Sequence, residues 1–222
     1  MKKIILMVVA IMMTTLAALA QIPDNVKEVL RKSEAKMESY NNGSGVVLDT
    51  KLKMKVSILS INGTMKSYVK DRKYFNVISM TAMGKEMMKM ELGFDGEQQW
   101  IYKSMSGENS KDSLIITKTK DAKNEYGMKS DYDKEYSKAK MKEVGRYYEI
   151  TFSGRKKKNL PKKATVKIDR ENYILHDYSV VEDVGMFSGT MTITITKITK
   201  GCSDNWLKLD MNRYKNAAIV RK

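Results

Sequence analysis

An amphipathic helix is predicted over residues 24–40. Apolar or small side chains recur there at spacings of three and four, and charged side chains fill most positions between them. Asp24 can cap the first turn, and the run Asn41-Asn42-Gly43 can end the helix. The pattern therefore predicts one helix with a single apolar stripe, whose main members are Val26, Val29, Leu30 and Met37.

The spacing of apolar residues then changes to two. Between Leu48 and Leu59 the even positions are mostly apolar and the odd positions mostly charged. This alternation predicts a strand with one buried face and one wet, basic face. Asn62-Gly63 is typical of a type I′ hairpin turn, so the next strand is expected over residues 64–70.

Further strands follow at the spacing of an antiparallel meander. In residues 73–83 the apolar positions change parity between Val77 and Ile78, which predicts a β-bulge. Asp95-Gly96 is predicted to form a tight turn between two strands. About ten strands are predicted in all, the later ones over residues 88–94, 98–103, 114–118, 148–152, 164–168, 173–181 and 186–197.

One stretch, residues 120–142, does not follow the strand pattern. Its Tyr and Met residues are loosely helical in spacing, which predicts a second helical segment laid over the sheet. No repeat and no Gly/Ser-rich linker divides the chain, so residues 21–222 are expected to form one domain, mainly β with some α. Amphipathic antiparallel strands must hide their apolar face, either by curling into a barrel or half-barrel or by pairing two sheets as a sandwich.

The concave side of a curled sheet is the expected ligand site, because few helices are available to cover it. Methionine is frequent at the apolar strand positions, and its flexible side chain suits a cavity that accepts variable apolar ligands. Ordinary core filling is the alternative explanation for each residue. The predicted lining consists of Met54, Val56, Ile58, Phe75, Val77, Met88, Met90, Leu92, Trp100, Tyr102, Ile150, Phe152, Met191, Ile193 and Ile195.

The first twenty residues have the three regions of a secretory signal peptide. Lys2 and Lys3 precede a fully apolar core, and Ala18-Leu19-Ala20 matches an A-x-A cleavage site. The apolar core is short for a membrane span, which needs roughly 20 residues. Cleavage after Ala20 and export to the periplasm are therefore predicted.

Export changes the interpretation of the charge. The 222 residues carry a net charge of +15, which ordinarily suggests a polyanionic partner. The signal peptide contains two Lys and no acidic residue, so the rest carries 39 basic and 26 acidic residues, a net charge of +13. Because an exported protein does not meet the genome, no nucleic-acid partner is predicted.

The sequence offers little catalytic or metal-binding chemistry. It has one His and one Cys, His176 and Cys202, which excludes a disulfide framework, a Cys-built zinc site and any site with two imidazoles. No common hydrolase, metalloprotease or nucleotide-binding motif is present. A Cys202–His176 dyad is formally possible, but a packed or surface histidine is the favoured interpretation. No catalytic residue, metal or cofactor is predicted.

The densest positive run lies between two predicted strands, at residues 155–163. The favoured interpretation is a solvated loop whose charges discourage edge pairing. The functional alternative is transient contact with anionic lipid headgroups, worth about 1 kcal/mol per basic residue near the surface. The residues assigned to this contact are Arg155, Lys156, Lys157 and Lys158.

Three features together resemble the periplasmic lipoprotein carriers of the LolA-like family. A signal peptide leads directly into a helix, a strand ending at Asp95-Gly96 leads to Trp100-Ile101-Tyr102, and the chain closes with Trp206 to Asp210 followed by Arg213-Tyr214. By this resemblance Trp100 and Tyr102 match the family's hairpin aromatics. Asp210 and Tyr214 match its terminal motif.

The resemblance implies a curved, incompletely closed antiparallel barrel whose apolar cavity shields lipoprotein acyl chains. Its helices would act as a lid, here through Val26, Val29, Leu30 and Met37. The basic loop and residues 120–142 are departures from the family.

Three classes of function follow from the sequence. The leading hypothesis is a monomeric, non-enzymatic periplasmic carrier or binding protein for lipid or lipoprotein acyl chains. The alternative is a structural or interaction module of the cell envelope that fills the cavity with its own side chains. An enzyme would need a polar constellation in the cavity, where alternating strands supply mainly apolar residues.

Overall fold

The computed structural model describes residues 22–41, 43–106, 111–119, 135–158, 160–184 and 187–222. The predicted signal peptide and residues 120–134 lie outside these ranges. Within them the chain forms one α-helix, α1 (Asp24–Asn41), and two 3₁₀-helices, Asp204–Leu207 and Met211–Tyr214. The strands are β1 (Val46–Val56), β2 (Leu59–Lys70), β3 (Lys73–Ala82), β4 (Lys85–Phe94), β5 (Gln98–Met105), β6 (Ser113–Lys118), β7 (Tyr136–Val144), β8 (Tyr147–Arg155), β9 (Lys163–Asp169), β10 (Leu175–Val184), β11 (Phe187–Lys200) and β12 (Ala218–Arg221).

The strands pair in the order β12-β6-β5-β4-β3-β2-β1-β11-β10-β9-β8-β7. This open, mainly β arrangement with a leading helix confirms the predicted class, but the described part of the chain has twelve strands, not about ten. The pairs from β2 to β6 and from β7 to β11 are antiparallel. The last strand departs from the prediction, because β12 joins β6 in parallel.

Backbone packing divides the chain into two compact units. Among the described residues, unit 1 contains 22–39, 53–60 and 135–195, and unit 2 contains 40–52, 61–119 and 196–222. Helix α1 and strands β7 to β10 thus belong to unit 1 almost entirely, and strands β3 to β6 with β12 belong to unit 2. Each unit has its own buried sheet face.

In unit 1 the strand register separates an apolar face from a polar one. Ile150 lies opposite Val166, which lies opposite Tyr178, and Tyr178 lies opposite Ile193. All four side chains are buried. The reverse face carries hydroxyl pairs such as Thr151 with Thr165 (3.3 Å) and Ser179 with Thr192 (3.1 Å). Helix α1 belongs to the same unit and buries Val26, Val29 and Leu30, as its apolar stripe predicts.

Strand β7 replaces the second half of the predicted helical segment. Ala139 and Met141 alternate with three lysines, Lys138, Lys140 and Lys142, and this spacing of two is a strand pattern. Ala139 lies opposite Phe152 and Met141 lies opposite Ile150. The helical prediction is therefore wrong for residues 136–142, because it gave weight to the spacing of the tyrosines and overlooked the alternation. The helical prediction for residues 120–134 falls outside the described part of the chain.

The first hairpin turns five residues earlier than predicted. The turn lies at Ser57-Ile58, where Ser57 has a φ of 54°, and β2 then runs continuously through Asn62-Gly63. Gly63 does not form a turn but allows β2 and β3 to lie close together, since a Cβ there would lie 2.5 Å from the Ser79 carbonyl oxygen. At the turn Ile58 is 96% exposed, so it does not line an apolar surface.

The parity change in β3 is not a bulge. The register runs without a break through Val77, opposite Glu91, and Ile78, opposite Met90. Both faces of β3 are buried around Phe75 and Ile78, so apolar residues occupy both parities. The register shifts only beyond Met80. The Asp95-Gly96 turn is confirmed, with the Asp95 carboxylate accepting hydrogen bonds from the Glu97 and Gln98 amides (both 3.0 Å).

Candidate functional site

The register of β2 to β6 assigns the side chains of unit 2 to two opposite faces. Residues directly opposite one another on paired strands project to the same side of a sheet. One row therefore contains Tyr68, Phe75, Gly93, Trp100 and Ile116, which we call the aromatic face. The other contains Met65, Ile78 and Met90 with their neighbours, which we call the methionine face.

The C-terminal segment of the chain covers the aromatic face. Trp206 stacks on Tyr68 with ring centroids 4.6 Å apart and lies 6.0 Å from Phe75. The Arg213 guanidinium lies over both Phe75 (5.0 Å) and Trp206 (4.9 Å). Leu207 and Tyr214 are buried in the same cluster as Trp100. This face is thus filled by the protein's own side chains.

Glu91 is buried on the aromatic face and is the centre of a polar cluster. The Tyr214 hydroxyl donates a hydrogen bond to Glu91 Oε2 (2.8 Å), and Lys89 Nζ lies 3.0 Å from Glu91 Oε1. Arg213 lies 3.9 Å from the carboxylate. Burial, and then the hydrogen bond to Glu91, raise the pKa of Tyr214 well above its usual range. Tyr214 therefore stays protonated, and Glu91 has its charge compensated.

Trp100 occupies the space left by a missing side chain. It lies directly opposite Gly93, and a Cβ on Gly93 would come 2.0 Å from the indole ring. The ring centroid lies 6.1 Å from that of Phe75. Glycine at position 93 is therefore required by the close approach of the indole, and not by a special backbone angle.

The methionine face is buried along one part and exposed along another. Met65, Ile78, Met90 and Leu92 are buried. At the far ends of the strands, Met80 lies opposite Met88, and Met88 lies opposite Met105. This thioether row is half-buried at its first two residues, and Met105 is 59% exposed. An apolar surface thus continues from the core of unit 2 to solvent.

Two polar side chains interrupt the buried part of the methionine face. Ser67 on β2 lies directly opposite Asn76 on β3. Asn76 is fully buried and Ser67 is 3% exposed. Among the residues that the structure describes, neither polar atom of the Asn76 amide nor the Ser67 hydroxyl has a hydrogen-bond partner.

The predicted lining residues lie on both faces of the unit 2 strands and on the apolar face of unit 1. Four lie on the aromatic face: Phe75, Val77, Trp100 and Tyr102. Met88, Met90 and Leu92 lie on the methionine face, and the apolar face of unit 1 carries Ile150, Phe152, Met191, Ile193 and Ile195. In β1, Met54 and Val56 are half-buried, and Ile58 lies in the exposed turn. Of the lid residues, Met37 is half-buried.

Sequence reasoning omitted several residues of the methionine face from the lining. Among them are Met65, Ser67, Asn76, Ile78, Met80 and Met105. The alternation of Met65, Ser67 and Val69 could have placed the first two on one face. The polar pair had no sequence signal, because an asparagine or serine in a strand is usually solvated.

The terminal residues singled out by the resemblance have structural roles. Asp210 caps the second 3₁₀-helix by accepting a hydrogen bond from the Asn212 amide (3.0 Å), and Tyr214 is the last residue of that helix. Cys202 is half-buried against the aromatic cluster, and burial raises the pKa of its thiol. A raised thiol pKa opposes nucleophilic chemistry. His176 Nδ1 lies 3.0 Å from Asp177 Oδ1, beside the Tyr147 ring.

The basic turn between β8 and β9 is only partly available to a partner. Arg155 donates a hydrogen bond to the Leu160 carbonyl (2.8 Å) and lies 3.4 Å from Glu182. The side chains of Lys156, Lys157 and Lys158 are exposed. In the described part of the chain, no three His, Cys, Asp or Glu side chains are grouped to hold a metal ion. No described helix combines the length and the hydropathy that a membrane span requires.

Comparisons with known proteins find similar solved structures at low sequence identity. No family model and no curated protein matches this chain. The chain is similar to a solved LolA superfamily structure. That protein, from Nitrosomonas europaea, is 7% identical, with 83% of this chain and 98% of that chain covered and a TM-score of 0.37.

Two further solved structures have similar coverage. An uncharacterized conserved protein from Thermus thermophilus is 9% identical, with 89% of this chain and 99% of that chain covered and a TM-score of 0.47. The lipoprotein LppX from Mycobacterium tuberculosis is 12% identical, with 81% and 98% covered and a TM-score of 0.45. At these identities the likeness concerns the fold alone.

Proposed function

We propose that the protein is exported, cleaved after Ala20, and works in the periplasm as a monomeric, non-enzymatic carrier or binding protein for acyl chains. Its cargo is a lipid or a lipoprotein, and the methionine face is the surface that receives the chains. In this proposal the sheet is a curved half-barrel within one lipid-binding domain, and α1 is the lid that must move for release.

The observation that carries the proposal is the continuity of the methionine face. Buried Ile78, Met90 and Leu92 lead along the strands to half-buried Met80 and Met88. An apolar surface that runs from core to solvent offers an entering chain a continuous path. Exposed apolar patches of this kind often mark binding surfaces.

The chemistry of the thioether row suits acyl chains of varied length. Methionine has three rotatable side-chain bonds and repacks at little cost, so the row can adapt to different ligands. Each buried methylene contributes about 0.8 kcal/mol, so a chain of ordinary length supplies ample affinity without a polar anchor.

The test begins with the protein purified from its native periplasm. Mass spectrometry should detect a chain that begins at Gln21 and should find acyl lipid in its organic extract. The stripped protein should then take up a fluorescent fatty acid. A protein without extractable lipid and without uptake would contradict the proposal.

Methionine-to-glutamine variants locate the binding surface. Glutamine keeps the length of methionine but adds an amide that must be desolvated, so Met80→Gln with Met88→Gln should weaken fatty-acid uptake several-fold. Met211→Gln is the matched control, because Met211 packs against the aromatic cluster. Equal effects of the two changes would argue against the methionine face as the site.

A structural module of the cell envelope is the second candidate function, and the filled aromatic face favours it. Stacked Trp206 and buried Tyr214 occupy that face with the chain's own side chains. If the whole protein is a filled scaffold, the extract contains no lipid. The Met80 and Met88 changes would then alter stability without altering any ligand response.

A further inference from the structure

The polar pair of the methionine face, Ser67 and Asn76, is unpartnered in a place where partners are normally obligatory. Native proteins pair nearly all buried polar atoms, and each exception requires an explanation. Asn76 is fully buried, and no described residue pairs with its amide or with the Ser67 hydroxyl. The fold therefore retains three buried polar atoms that no described protein group satisfies.

The surroundings of the pair are apolar. The next pair along the strands on one side is Met65 opposite Ile78, and on the other side it is Val69 opposite Tyr74. Across β4, Asn76 lies opposite Leu92. The buried hydroxyl of Thr50 is already used, because it donates to the Met65 carbonyl (3.1 Å).

We propose that Asn76 and Ser67 bind the carbonyl group at the head of an acyl chain, with an amide preferred over an ester. This inference rests on the proposed carrier function and specifies its cargo. The apolar residues on both sides of the pair would contact the methylene groups. Asn76 and Ser67 would supply the hydrogen bonds that the hydrocarbon cannot make.

The preference for an amide follows from donor and acceptor counts. The Asn76 side chain has an acceptor oxygen and two N–H donors, and the Ser67 hydroxyl both donates and accepts. A trans secondary amide matches the pair, because its carbonyl accepts from Asn76 Nδ2 while its N–H, which points the opposite way, donates to the Ser67 hydroxyl oxygen. An ester has no N–H, so it leaves the Ser67 oxygen without a donor. A hydrocarbon satisfies neither residue.

Three probes of matched chain length test whether the site binds an amide more tightly than an ester, and an ester more tightly than a hydrocarbon. N-methyldodecanamide, methyl dodecanoate and tridecane would compete with a fluorescent fatty acid on the chain that begins at Gln21. We expect the amide to bind about tenfold more tightly than tridecane, which corresponds to about 1.4 kcal/mol, with the ester between them. In Asn76→Leu the amide and the ester should lose most of their advantage over tridecane, because only the Ser67 hydroxyl is left to pair with the probe.

Two controls separate binding from folding. Asn62→Leu makes the same change at an exposed position of β2 and should keep the wild-type order. Without ligand, Asn76→Leu should melt at the same or a higher temperature, because an apolar group of similar size replaces an unpaired polar one.

The possible failures are distinguishable. Equal affinities for the three probes in the wild-type chain would overturn the carbonyl site and leave the carrier function in place. No uptake of any probe would overturn both proposals. A lower melting temperature of Asn76→Leu, with the wild-type preference retained, would mean that buried water satisfies the pair, and would also overturn the carbonyl site.

Discussion

Glu91 and Tyr214 show how single residues join the C-terminal segment to the sheet. The carboxylate is buried, yet it receives the Tyr214 hydrogen bond and has a lysine 3.0 Å away. Removing one member of a buried polar cluster leaves the others without partners, which costs more than the bond itself contributes. The closing segment is therefore held by a polar contact as well as by ring stacking.

Tyr214 predicts a loss of stability at alkaline pH. Its pKa is raised in the folded state by burial and by Glu91, while in the unfolded chain a tyrosine ionises near pH 10. The contribution is fully present below pH 10 and is lost as the pH rises further, because only the unfolded chain can release the proton. Urea unfolding at pH 9 and pH 11 should show a steeper fall in the free energy of unfolding for the wild type than for Tyr214→Phe. Met211→Leu should retain the wild-type difference, and a Tyr214→Phe slope equal to the wild-type one would refute the explanation.

Gly93 predicts a steric coupling across β4 and β5. Gly93→Ala should lower the free energy of unfolding by about 1–3 kcal/mol, because the new methyl group occupies the space of the Trp100 indole. In the Trp100→Leu background the same change should cost less. A double-mutant cycle by urea denaturation measures the difference, and a coupling energy near zero would contradict the assigned contact.

The burial of the aromatic residues could be predicted from the sequence, and the burial of the polar pair could not. Trp100 and Phe75 occur at apolar strand positions, so their burial follows from alternation. Asn76 precedes Val77 and has no apolar signature, and only the register shows that it lies between Met65, Tyr74 and Leu92 on a dry face. Periodicity indicates which side a residue faces but does not identify its partners.

At the scale of elements, turn position decided which strand predictions were correct. Asn62-Gly63 has the composition of a hairpin turn, but the chain turns at Ser57-Ile58 and uses Gly63 for close contact with β3. A turn signal is local, whereas the position of a turn also depends on the pairing of the whole strands. In β7 the opposite occurred, because a clear alternation of Ala139 and Met141 with lysines was given less weight than helical spacing.

The corrected hairpin predicts a contrast between two isoleucines. Ile58→Ser should change the free energy of unfolding by less than about 0.5 kcal/mol, because the side chain is in solvent. Ile150→Ala should cost about 2–5 kcal/mol, because Ile150 is buried between Val166 and Met141 in the register. Chemical denaturation of both variants provides the measurement. A large loss of unfolding free energy in Ile58→Ser would contradict the exposed turn and would mean that Ile58 packs on an apolar surface.

At the scale of the whole molecule, the positive charge is spread along strands and turns. Lysines occupy the exposed positions of β1 and β7, and the β8–β9 turn adds Lys156, Lys157 and Lys158. Like charges on exposed strands discourage edge-to-edge association. Because β7 is an edge strand of the sheet, its lysines disfavour pairing with a foreign strand.

The basic turn predicts a local contribution to membrane contact. Replacing Lys156, Lys157 and Lys158 by Gln should weaken sedimentation with phosphatidylglycerol vesicles, because each basic residue near the surface contributes about 1 kcal/mol. The matched control replaces three exposed lysines of β1, namely Lys51, Lys53 and Lys55, and removes the same charge. The turn variant should lose more binding than the control at 0.1 M salt. Equal losses would assign the effect to net charge alone.

The parallel pairing of β12 determines which edge the sheet presents to other molecules. By joining β6, residues 218–221 occupy hydrogen-bonding groups that would otherwise be a template for a foreign strand. The new edge is only four residues long and ends with Arg221 beside Lys222. A chain shortened after Ala217 would expose the six residues of β6, so size-exclusion chromatography should detect concentration-dependent dimers that the full chain does not form. The last strand thus covers the edge of β6 and prevents it from pairing with a second copy of the chain.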